Sequence, residues 1–226
     1  MAVEEQLDRA ELLRRLGALI DAVDTTHPTR VAIDGPDAVG KTTLADELAV
    51  VLDAAGREVI RASIDGFHRP RAERYRRGPD SPEGYYEDSF DYDALRRSLL
   101  EPLGPGGSRD YCPAVFDFRN DRPAESSSVR ASARSVLLVD GVFLLRPELR
   151  EAWDFSVFVS AGFDEVLRRA LGRDLGLFGS ADELERRYRI RYIPAQRLYF
   201  VKARPELAAD AVVVNDDPTA PLLRVG

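Results

Sequence analysis

The sequence predicts an α/β fold in which a five-stranded parallel sheet lies between two layers of helices. Five short segments are almost wholly apolar, as strands are when both faces of a parallel sheet are covered. The segments between them place apolar residues at helical spacing, which indicates helices packed on the sheet. A length of 226 residues, with 44% hydrophobic and 31% charged residues, favours a single domain over residues 1–226.

Each predicted element has its own pattern. Residues 1–25 are expected to form an amphipathic N-terminal helix, because Leu12, Leu16 and Ile20 recur at helical spacing. Strands are expected at 31–34, 58–64, 135–139, 155–159 and 211–214. Further helices are expected at 42–56, 91–101, 146–152, 163–173 and 182–200.

Two stretches interrupt this alternation and are expected to be functional insertions. Residues 66–90 are polar, aromatic and rich in proline and glycine, and they are too long for a simple connection. Residues 104–134 contain a Gly/Pro segment and an expected hairpin around residues 111–118.

Composition and charge exclude several classes of protein. A net charge of −7, from 32 Lys and Arg against 39 Asp and Glu, argues against a nucleic-acid partner. Cys112 is the single cysteine, which excludes an intramolecular disulfide, and with only His27 and His68 beside it a zinc site of cysteine and histidine cannot form. Because the apolar runs are too short for a bilayer, we expect a cytoplasmic protein without a membrane partner. A homo-oligomer is left open.

A glycine-rich loop carries the strongest functional signal. Residues 35–42 fit G-x-x-x-x-G-K-[ST] between a predicted strand and a predicted helix, the context that a phosphate-binding loop requires. The pattern predicts a P-loop NTPase with a three-layer α/β/α architecture, which binds ATP and Mg²⁺. The candidate nucleotide-binding residues are Gly35, Pro36, Asp37, Ala38, Val39, Gly40, Lys41, Thr42 and Thr43.

Two of these positions and one strand-end carboxylate have specific predicted roles. Lys41, one of only two lysines with Lys202, is expected to bridge the β- and γ-phosphates. Thr42 is expected to bind the metal ion through its hydroxyl. Asp140 directly follows the strand predicted at 135–139, where a carboxylate can hold Mg²⁺ directly or through water.

The reaction predicted from these features is phosphoryl transfer to a small molecule. The chain lacks the lysine of a guanine-reading Asn-Lys-x-Asp string, since residues 215–217 read Asn-Asp-Asp. Asp65 follows the second predicted strand, where a carboxylate can orient an acceptor hydroxyl or take its proton. The stretch behind it offers cations and aromatic rings that could hold the acceptor, namely Arg69, Arg71, Arg74, Arg76, Arg77, Tyr85, Tyr86, Phe90 and Tyr92.

The sequence resembles the uridine kinase/phosphoribulokinase-like family of P-loop kinases over residues 30–216. The resemblance rests on IDGPDAVGKTTLADELA, on S-x-D-x-F at 63–67, on YYEDSFDYDAL, on VLLVDG, on LRRALGRD, and on RRYRIRYIPAQRLYF followed by PELAADAVVVND. It implies an ATP-dependent kinase that phosphorylates a nucleoside hydroxyl, with uridine or cytidine as the first expectation. The alternatives are another small alcohol (pantothenate, a sugar, a sugar phosphate or nicotinamide riboside) and a nucleotide-binding module without turnover.

The resemblance also assigns roles to residues. It implies that Asp65 is the catalytic base, that 66–90 and 104–134 build the acceptor site, and that 168–182 is a lid that closes over the transferred phosphate. Arg169 and Arg173 are the expected catalytic arginines of this lid, and which of Arg168, Arg169 and Arg173 reaches the phosphate is left open. The implied acceptor residues are Asp65, Phe67, His68, Tyr85, Tyr86, Phe90, Tyr111, Arg191 and Gln196. Two departures are visible: Asp140 replaces the usual Glu before Gly141, and three residues instead of two separate the lid's arginine pair from Arg173.

Overall fold

The computed structural model describes residues 3–173, 176 and 179–226 of the chain. Its central sheet contains strands β1 (Val3–Gln6), β2 (Thr29–Asp34), β3 (Val59–Ser63), β8 (Val136–Gly141), β9 (Phe155–Ser160), β10 (Ala211–Val214) and β11 (Leu222–Val225). The strand order is β1-β11-β10-β9-β2-β8-β3. The five strands β3, β8, β2, β9 and β10 are mutually parallel, which confirms the predicted core sheet.

Two edge strands extend this core beyond the prediction. β1 pairs antiparallel with β11, and β11 pairs antiparallel with β10. The expectation of one helix over 1–25 is therefore wrong at its start: Val3–Gln6 is a strand, and the helix α1 covers Arg9–Asp21. Because the partner of β1 lies at the opposite end of the described chain, local periodicity could not reveal this pairing.

The main helices lie close to their predicted positions. α2 covers Lys41–Ala54, α6 covers Phe163–Arg173, α7 covers Ala181–Arg187 and α8 covers Ile193–Ala203. A short helix that the sequence analysis did not predict, α9, covers Pro205–Ala208. A π-helical segment, Tyr188–Tyr192, joins α7 to α8, and the expected helix at 91–101 consists of α5 (Tyr92–Leu95) and the π-helical Arg96–Leu100. The helix expected at 146–152 is wrong, since only Arg150–Ala152 forms a short 3₁₀ turn there.

The two insertions have regular structure of their own. The first contains a 3₁₀ turn at Ile64–Phe67 and helices α3 (Arg71–Arg74) and α4 (Pro82–Asp88). In the second, β4 (Asp110–Tyr111) pairs with β7 (Val129–Arg130), and β5 (Phe116–Asp117) pairs with β6 (Arg122–Pro123). The hairpin expected at 111–118 is thus displaced along the chain, because Tyr111 pairs with Val129 instead.

Side chains of the central strands alternate between two hydrophobic cores. In β2, Val31 and Ile33 face the core that contains the apolar sides of α1 and α2, while Ala32 faces the opposite core. Leu95 of α5 and Tyr199 of α8 belong to that opposite core. Burial on both faces explains why these strands read as continuous apolar runs, and it gives the three layers that the sequence predicts.

The carboxyl ends of the parallel strands gather the polar groups of the site. Asp34 ends β2, Asp140 lies next to last in β8, and Asp65 lies two residues after the end of β3. Ser63 and Asp140 are paired in the β3–β8 register, so these groups share one edge of the sheet. In the described part of the chain, no helix has the length and apolar character needed to cross a membrane.

Candidate active site

The loop between β2 and α2 has a backbone that only glycine allows at two points. Gly35 has φ of +150°, and a Cβ there would lie 2.1 Å from the carbonyl oxygen of Val159. Gly40, the residue before α2, has φ of +101° in the left-handed region. These two glycines let the loop turn tightly around the N-terminus of α2, where backbone N–H groups can receive a phosphate.

Lys41 lies in the smaller of two connected cavities, which has a volume of about 110 Å³. Its Nζ donates to the carbonyl oxygen of Pro36 at 2.5 Å, and the residue is 8% exposed. Burial lowers the pKa of Lys41, although the carboxylates of Asp37 and Asp34 oppose that shift. An ammonium group held in this way can move from a carbonyl oxygen to phosphate oxygens when a nucleotide binds.

Asp140 and Thr42 offer the oxygens that a metal ion would need. The Thr42 hydroxyl donates to Oδ2 of Asp140 at 2.7 Å. Among the described residues no group of three or more His, Cys, Asp or Glu side chains could hold a metal ion. A hydroxyl and one carboxylate fit Mg²⁺, because this ion takes few protein ligands and completes its shell with phosphate and water oxygens.

Arg61 is a site residue that the sequence analysis missed. Its guanidinium donates to Oδ1 of Asp140 at 2.9 Å, to the carbonyl oxygen of Leu138 at 2.9 Å and to Asp46 at 3.0 Å. The signal in the sequence was a single arginine in the middle of an apolar strand, since a charge there needs a partner.

Asp65 lies where the two cavities meet. It lines both the smaller cavity beside Lys41 and a larger one of about 560 Å³. Its side chain is 55% exposed and forms part of the walls of both cavities. Desolvation by these walls, followed by the negative charges of Asp37 and Asp140, raises the pKa of Asp65 to about 6. A carboxylate with a pKa near neutrality is a better proton acceptor than an ordinary aspartate.

The larger cavity is bounded by rings and by arginines. Its walls consist of Asp37, Asp65, His68, Arg71, Arg74, Tyr75, Tyr85, Ser89, Phe118, Arg119, Arg173, Tyr188, Arg191 and Tyr192. Most of these residues come from the two insertions and from the segment between α7 and α8. Asp37, Asp65, Tyr85 and Arg173 also line the smaller cavity, so the two spaces are continuous.

His68 forms part of the wall of the larger cavity. Its ring stacks on Phe118 at 4.8 Å between centroids and lies 4.5 Å from the Phe90 ring. Burial lowers the pKa of His68 to about 4, so the ring is neutral near pH 7. Nδ1 lies 3.0 Å from the carbonyl oxygen of Asp65 and is therefore the nitrogen that carries the proton, which leaves Nε2 as an acceptor.

The structure separates the acceptor residues implied by the resemblance into two groups. Asp65, His68, Tyr85 and Arg191 line the larger cavity. The other aromatic residues of that set lie in the hydrophobic core behind its wall, namely Phe67, Tyr86, Phe90 and Tyr111.

Gln196 lies behind the wall as well. It is 2% exposed, and its Nε2 donates to Oδ2 of Asp37 at 3.2 Å. The Tyr85 hydroxyl donates to the same oxygen at 3.0 Å. The two side chains thus hold the Asp37 carboxylate in the loop.

The three lid arginines have different surroundings. Arg168 is exposed and paired with Glu165. Arg169 donates to the carbonyl oxygens of Val39 at 3.2 Å and Asn215 at 2.7 Å, and so it contacts the phosphate-binding loop from behind. Arg173 lines both cavities. Within the expected lid, residues 174, 175, 177 and 178 lie outside the described residues.

Only some arginines of the first insertion line the larger cavity. Arg71 and Arg74 line the larger cavity, whereas Arg76 and Arg77 pair with Asp88 at 2.5 and 2.8 Å. Arg69 donates to the carbonyl oxygen of Phe90. Wall residues that the sequence analysis did not single out are Tyr75, Ser89, Phe118, Arg119, Tyr188 and Tyr192. Their spacing along the chain has no regular period, so only the fold reveals that they share a cavity.

Curated relatives of this chain are kinases of small molecules. Uridine-cytidine kinase B of Dictyostelium discoideum is 28% identical over 158 residues, which cover 70% of this chain and 63% of the relative. A pantothenate kinase of Streptococcus pneumoniae is 26% identical over 187 residues, covering 78% of this chain and 59% of the relative. The chain therefore spans about three fifths of the length of these relatives. No protein-family model matches it.

Solved structures share the fold. The structure of a possible uridine kinase from Bacillus stearothermophilus has a TM-score of 0.70 at 24% identity, and the match covers 90% of this chain and 97% of that one. Phosphoribulokinase from Rhodobacter spheroides has a TM-score of 0.59 at 15% identity and covers 84% of this chain and 70% of its own. At such identities the structural likeness establishes the α/β fold of P-loop kinases. The curated relatives and these structures fit the resemblance of the chain to the uridine kinase/phosphoribulokinase-like group of P-loop kinases.

Proposed function

We propose that this chain is an ATP-dependent kinase that transfers the γ-phosphate to a hydroxyl group of a small molecule. The observation that carries the proposal is the position of Asp65 between the cavity beside Lys41 and the larger cavity. A carboxylate at such a junction can reach an acceptor hydroxyl on one side while the γ-phosphate lies on the other. The curated relatives, which are named as kinases, support the same reaction class.

The residues divide the chemistry between them. The loop N–H groups and Lys41 hold the β- and γ-phosphates, and Thr42 and Asp140 would hold Mg²⁺, which supplies neutralising charge to the phosphate oxygens. Asp65 accepts the hydroxyl proton as the acceptor oxygen bonds to the γ-phosphorus and the bond to the β–γ bridging oxygen breaks. The products are ADP, a phosphate ester and the proton. Arg173 lies where its charge can stabilise the phosphate in transfer.

Uridine or cytidine is the first acceptor to test. The aromatic wall of the larger cavity suits a planar base, and one curated relative is named uridine-cytidine kinase. The alternative acceptors are pantothenate, a sugar, a sugar phosphate and nicotinamide riboside, and the first of these is supported by the relatives named pantothenate kinase. The cytoplasmic location, the single-domain organisation and a homo-oligomeric state stay predictions.

The experiment is a screen of acceptors with the purified chain, ATP and MgCl₂. ADP release is measured for uridine, cytidine and each alternative acceptor, with Asp65→Asn as the matched inactive control. ADP release with at least one acceptor, lost in the variant, supports the proposal. ATP binding without acceptor-dependent ADP release would instead favour a nucleotide-binding module without turnover.

A further inference from the structure

The larger cavity has an uneven distribution of charge. Its charged wall residues are five arginines and two aspartates: Arg71, Arg74, Arg119, Arg173, Arg191, Asp37 and Asp65. Both aspartates also line the smaller cavity, so they lie at the phosphate end. The charged groups that line only the larger cavity are all arginines. Every charged wall residue at the end remote from Lys41 is therefore an arginine, although the carboxylate of Asp121 lies just behind this wall, beside Arg71 and Arg74.

Three of these remote arginines lack a carboxylate partner within the described part of the chain. Arg71 and Arg119 are exposed to the cavity, and their guanidinium groups lie near the rings of Tyr75 and Phe118, at 5.7 and 5.9 Å. Arg74 differs, because it pairs with Asp121 at 3.2 Å.

Arg191 is the most unusual member of the group. It is 2% exposed, and its guanidinium donates to the backbone carbonyl of Pro79 at 2.8 Å while it lies over the Tyr75 ring at 4.8 Å. Other buried arginines of the chain have acids beside them, as Arg30 has Asp154 and Arg146 has Glu87. A buried cation without an acid is unfavourable unless another negative charge approaches it. A bound molecule could supply the negative charge that offsets the guanidinium of Arg191.

We propose that the acceptor is a small hydroxylated organic anion, whose carboxylate or phosphate group binds among Arg71, Arg74 and Arg119, with Arg191 behind them. This inference rests on the proposed function for the position of the acceptor hydroxyl at Asp65. Arginine forks match the geometry of both kinds of oxyanion, because each presents paired oxygens. The volume of about 560 Å³ is sufficient for a molecule that reaches from Asp65 to the arginines.

The surroundings of the cavity agree with this orientation. A second cavity of about 490 Å³ adjoins it through the shared residues Arg71 and Tyr75, and its other charged wall residues are Arg187 and Asp121, the partner of Arg74. His68 is neutral, so its Nε2 can accept a hydrogen bond from the middle of the bound acceptor without a charge interaction with the acceptor's anionic group.

The test compares pairs of molecules that differ in the anionic group. D-pantothenate is compared with pantothenol, and ribose 5-phosphate with ribose, while uridine and cytidine serve as neutral nucleosides. Affinity is measured by calorimetry without ATP, and ADP release is measured separately with ATP and MgCl₂. We expect the anionic member of at least one pair to bind about 10- to 100-fold more tightly than its neutral partner, as for hydrogen bonds to charged groups. The pair that discriminates identifies the oxyanion as carboxylate or phosphate.

Variants connect the binding to the arginines. Arg119→Gln and Arg71→Gln should each reduce the ratio of anionic to neutral affinity by about tenfold. Arg97→Gln, which changes an exposed arginine outside the cavity walls, is the matched control and should leave the ratio unchanged. Added NaCl should weaken binding of the anion more than that of its neutral partner.

The outcomes separate the two proposals. Equal affinity within both pairs, or anion binding that the arginine variants leave intact, overturns the anionic acceptor. Turnover of uridine or cytidine without any arginine-dependent anion binding also overturns it, while the proposed kinase function stands. Arginine-dependent anion binding without phosphoryl transfer to any acceptor supports the anion site and counts against the kinase function.

Discussion

The guanidinium of Arg61 lies 2.9 Å from Oδ1 of Asp140, while the Thr42 hydroxyl donates to the other oxygen of the same carboxylate. Arg61 reaches across from β3 to β8, and its bond to the Leu138 carbonyl fixes the direction of its side chain. One carboxylate oxygen thus accepts from an arginine, and the other accepts from Thr42, the second residue of α2. With one donor on each oxygen, the carboxylate of Asp140 is held in a fixed orientation, although its side chain is one methylene shorter than that of a glutamate.

Removing Arg61 should weaken the use of Mg²⁺. In Arg61→Met the carboxylate of Asp140 loses its orienting donor, and we expect the Mg²⁺ concentration at half-maximal rate to rise about tenfold, as when partners of metal ligands are lost. A titration of MgCl₂ at fixed ATP measures it. Arg9→Met is the control, because Arg9 is similarly exposed (22% against 26%) and pairs with Glu47 away from the site. An unchanged Mg²⁺ requirement in Arg61→Met would show that Asp140 needs no such support.

Asp65 should be required for turnover but not for nucleotide binding. Asp65→Asn removes the proton acceptor while keeping the shape of the side chain, so kcat should fall about 10²-fold or more with ATP affinity nearly unchanged. Lys41→Ala should weaken both the affinity for ATP and the rate. Calorimetry with ATP and steady-state kinetics distinguish the two patterns. Equal kcat in Asp65→Asn and the unchanged chain would remove Asp65 from the mechanism.

The pKa of Asp65, raised to about 6, predicts the acid side of the pH profile. Since the base must be ionised, kcat/KM should rise with pH and level off above about 6. The measurement is kcat/KM at saturating MgCl₂ across acidic and neutral buffers. A plateau that extends down to the pKa of an ordinary aspartate would contradict the assignment.

The same shift predicts the stability of the Asn variant. Because the pKa of Asp65 is higher in the folded than in the unfolded chain, ionised Asp65 destabilises the fold, and this loss develops as pH rises from about 3.8 through about 6. Asp65→Asn should therefore have a higher Tm than the unchanged chain at neutral pH, with the difference shrinking toward pH ~4. Thermal unfolding at several pH values checks this. A lower Tm at neutral pH would mean that the carboxylate stabilises the fold.

Tyr199 should stabilise the buried end of β2. Its hydroxyl donates to Oδ2 of Asp34, which is fully buried and also accepts from the backbone N–H groups of Gly35 and Leu145. Tyr199→Phe leaves the buried carboxyl with one donor fewer, so the free energy of unfolding should fall by about 1–3 kcal/mol. Urea denaturation measures it. Tyr111→Phe is the control, since Tyr111 is buried but its hydroxyl has no hydrogen bond among the described residues. Equal losses in the two variants would show that the bond to Asp34 adds no stability.

Local patterns were sufficient for the elements that bind phosphate. The strand ending at Asp34, the glycines at 35 and 40 and the helix beginning at Lys41 are adjacent in sequence, and each has a physical signature there. The carboxylates Asp65 and Asp140 were predictable because each follows or ends an apolar strand. By contrast, β1 was misread as helix because its partner β11 lies at the far end of the chain.

The acceptor cavity shows the limit of such patterns. Phe118 and Arg119 reach His68 and Arg71 only because β5 and β6 fold the second insertion against the first. Phe67 and Phe90, which the family resemblance associated with the acceptor, lie in the core instead. An aromatic residue gives the same signal in a sequence whether its side chain faces a ligand or a hydrophobic interior.

The sequence by itself determined the class of fold and the chemistry of the nucleotide end, since short-range periodicity and one contiguous loop encode both. Only the tertiary structure decided which cations face the acceptor cavity. Arg76 and Arg77 are paired with Asp88, whereas Arg71, Arg119 and Arg191 line the cavity and form no ion pair with a carboxylate among the described residues. The physical reason is that the effective charge of an arginine depends on which carboxylates fold next to it, and those partners lie far away in sequence.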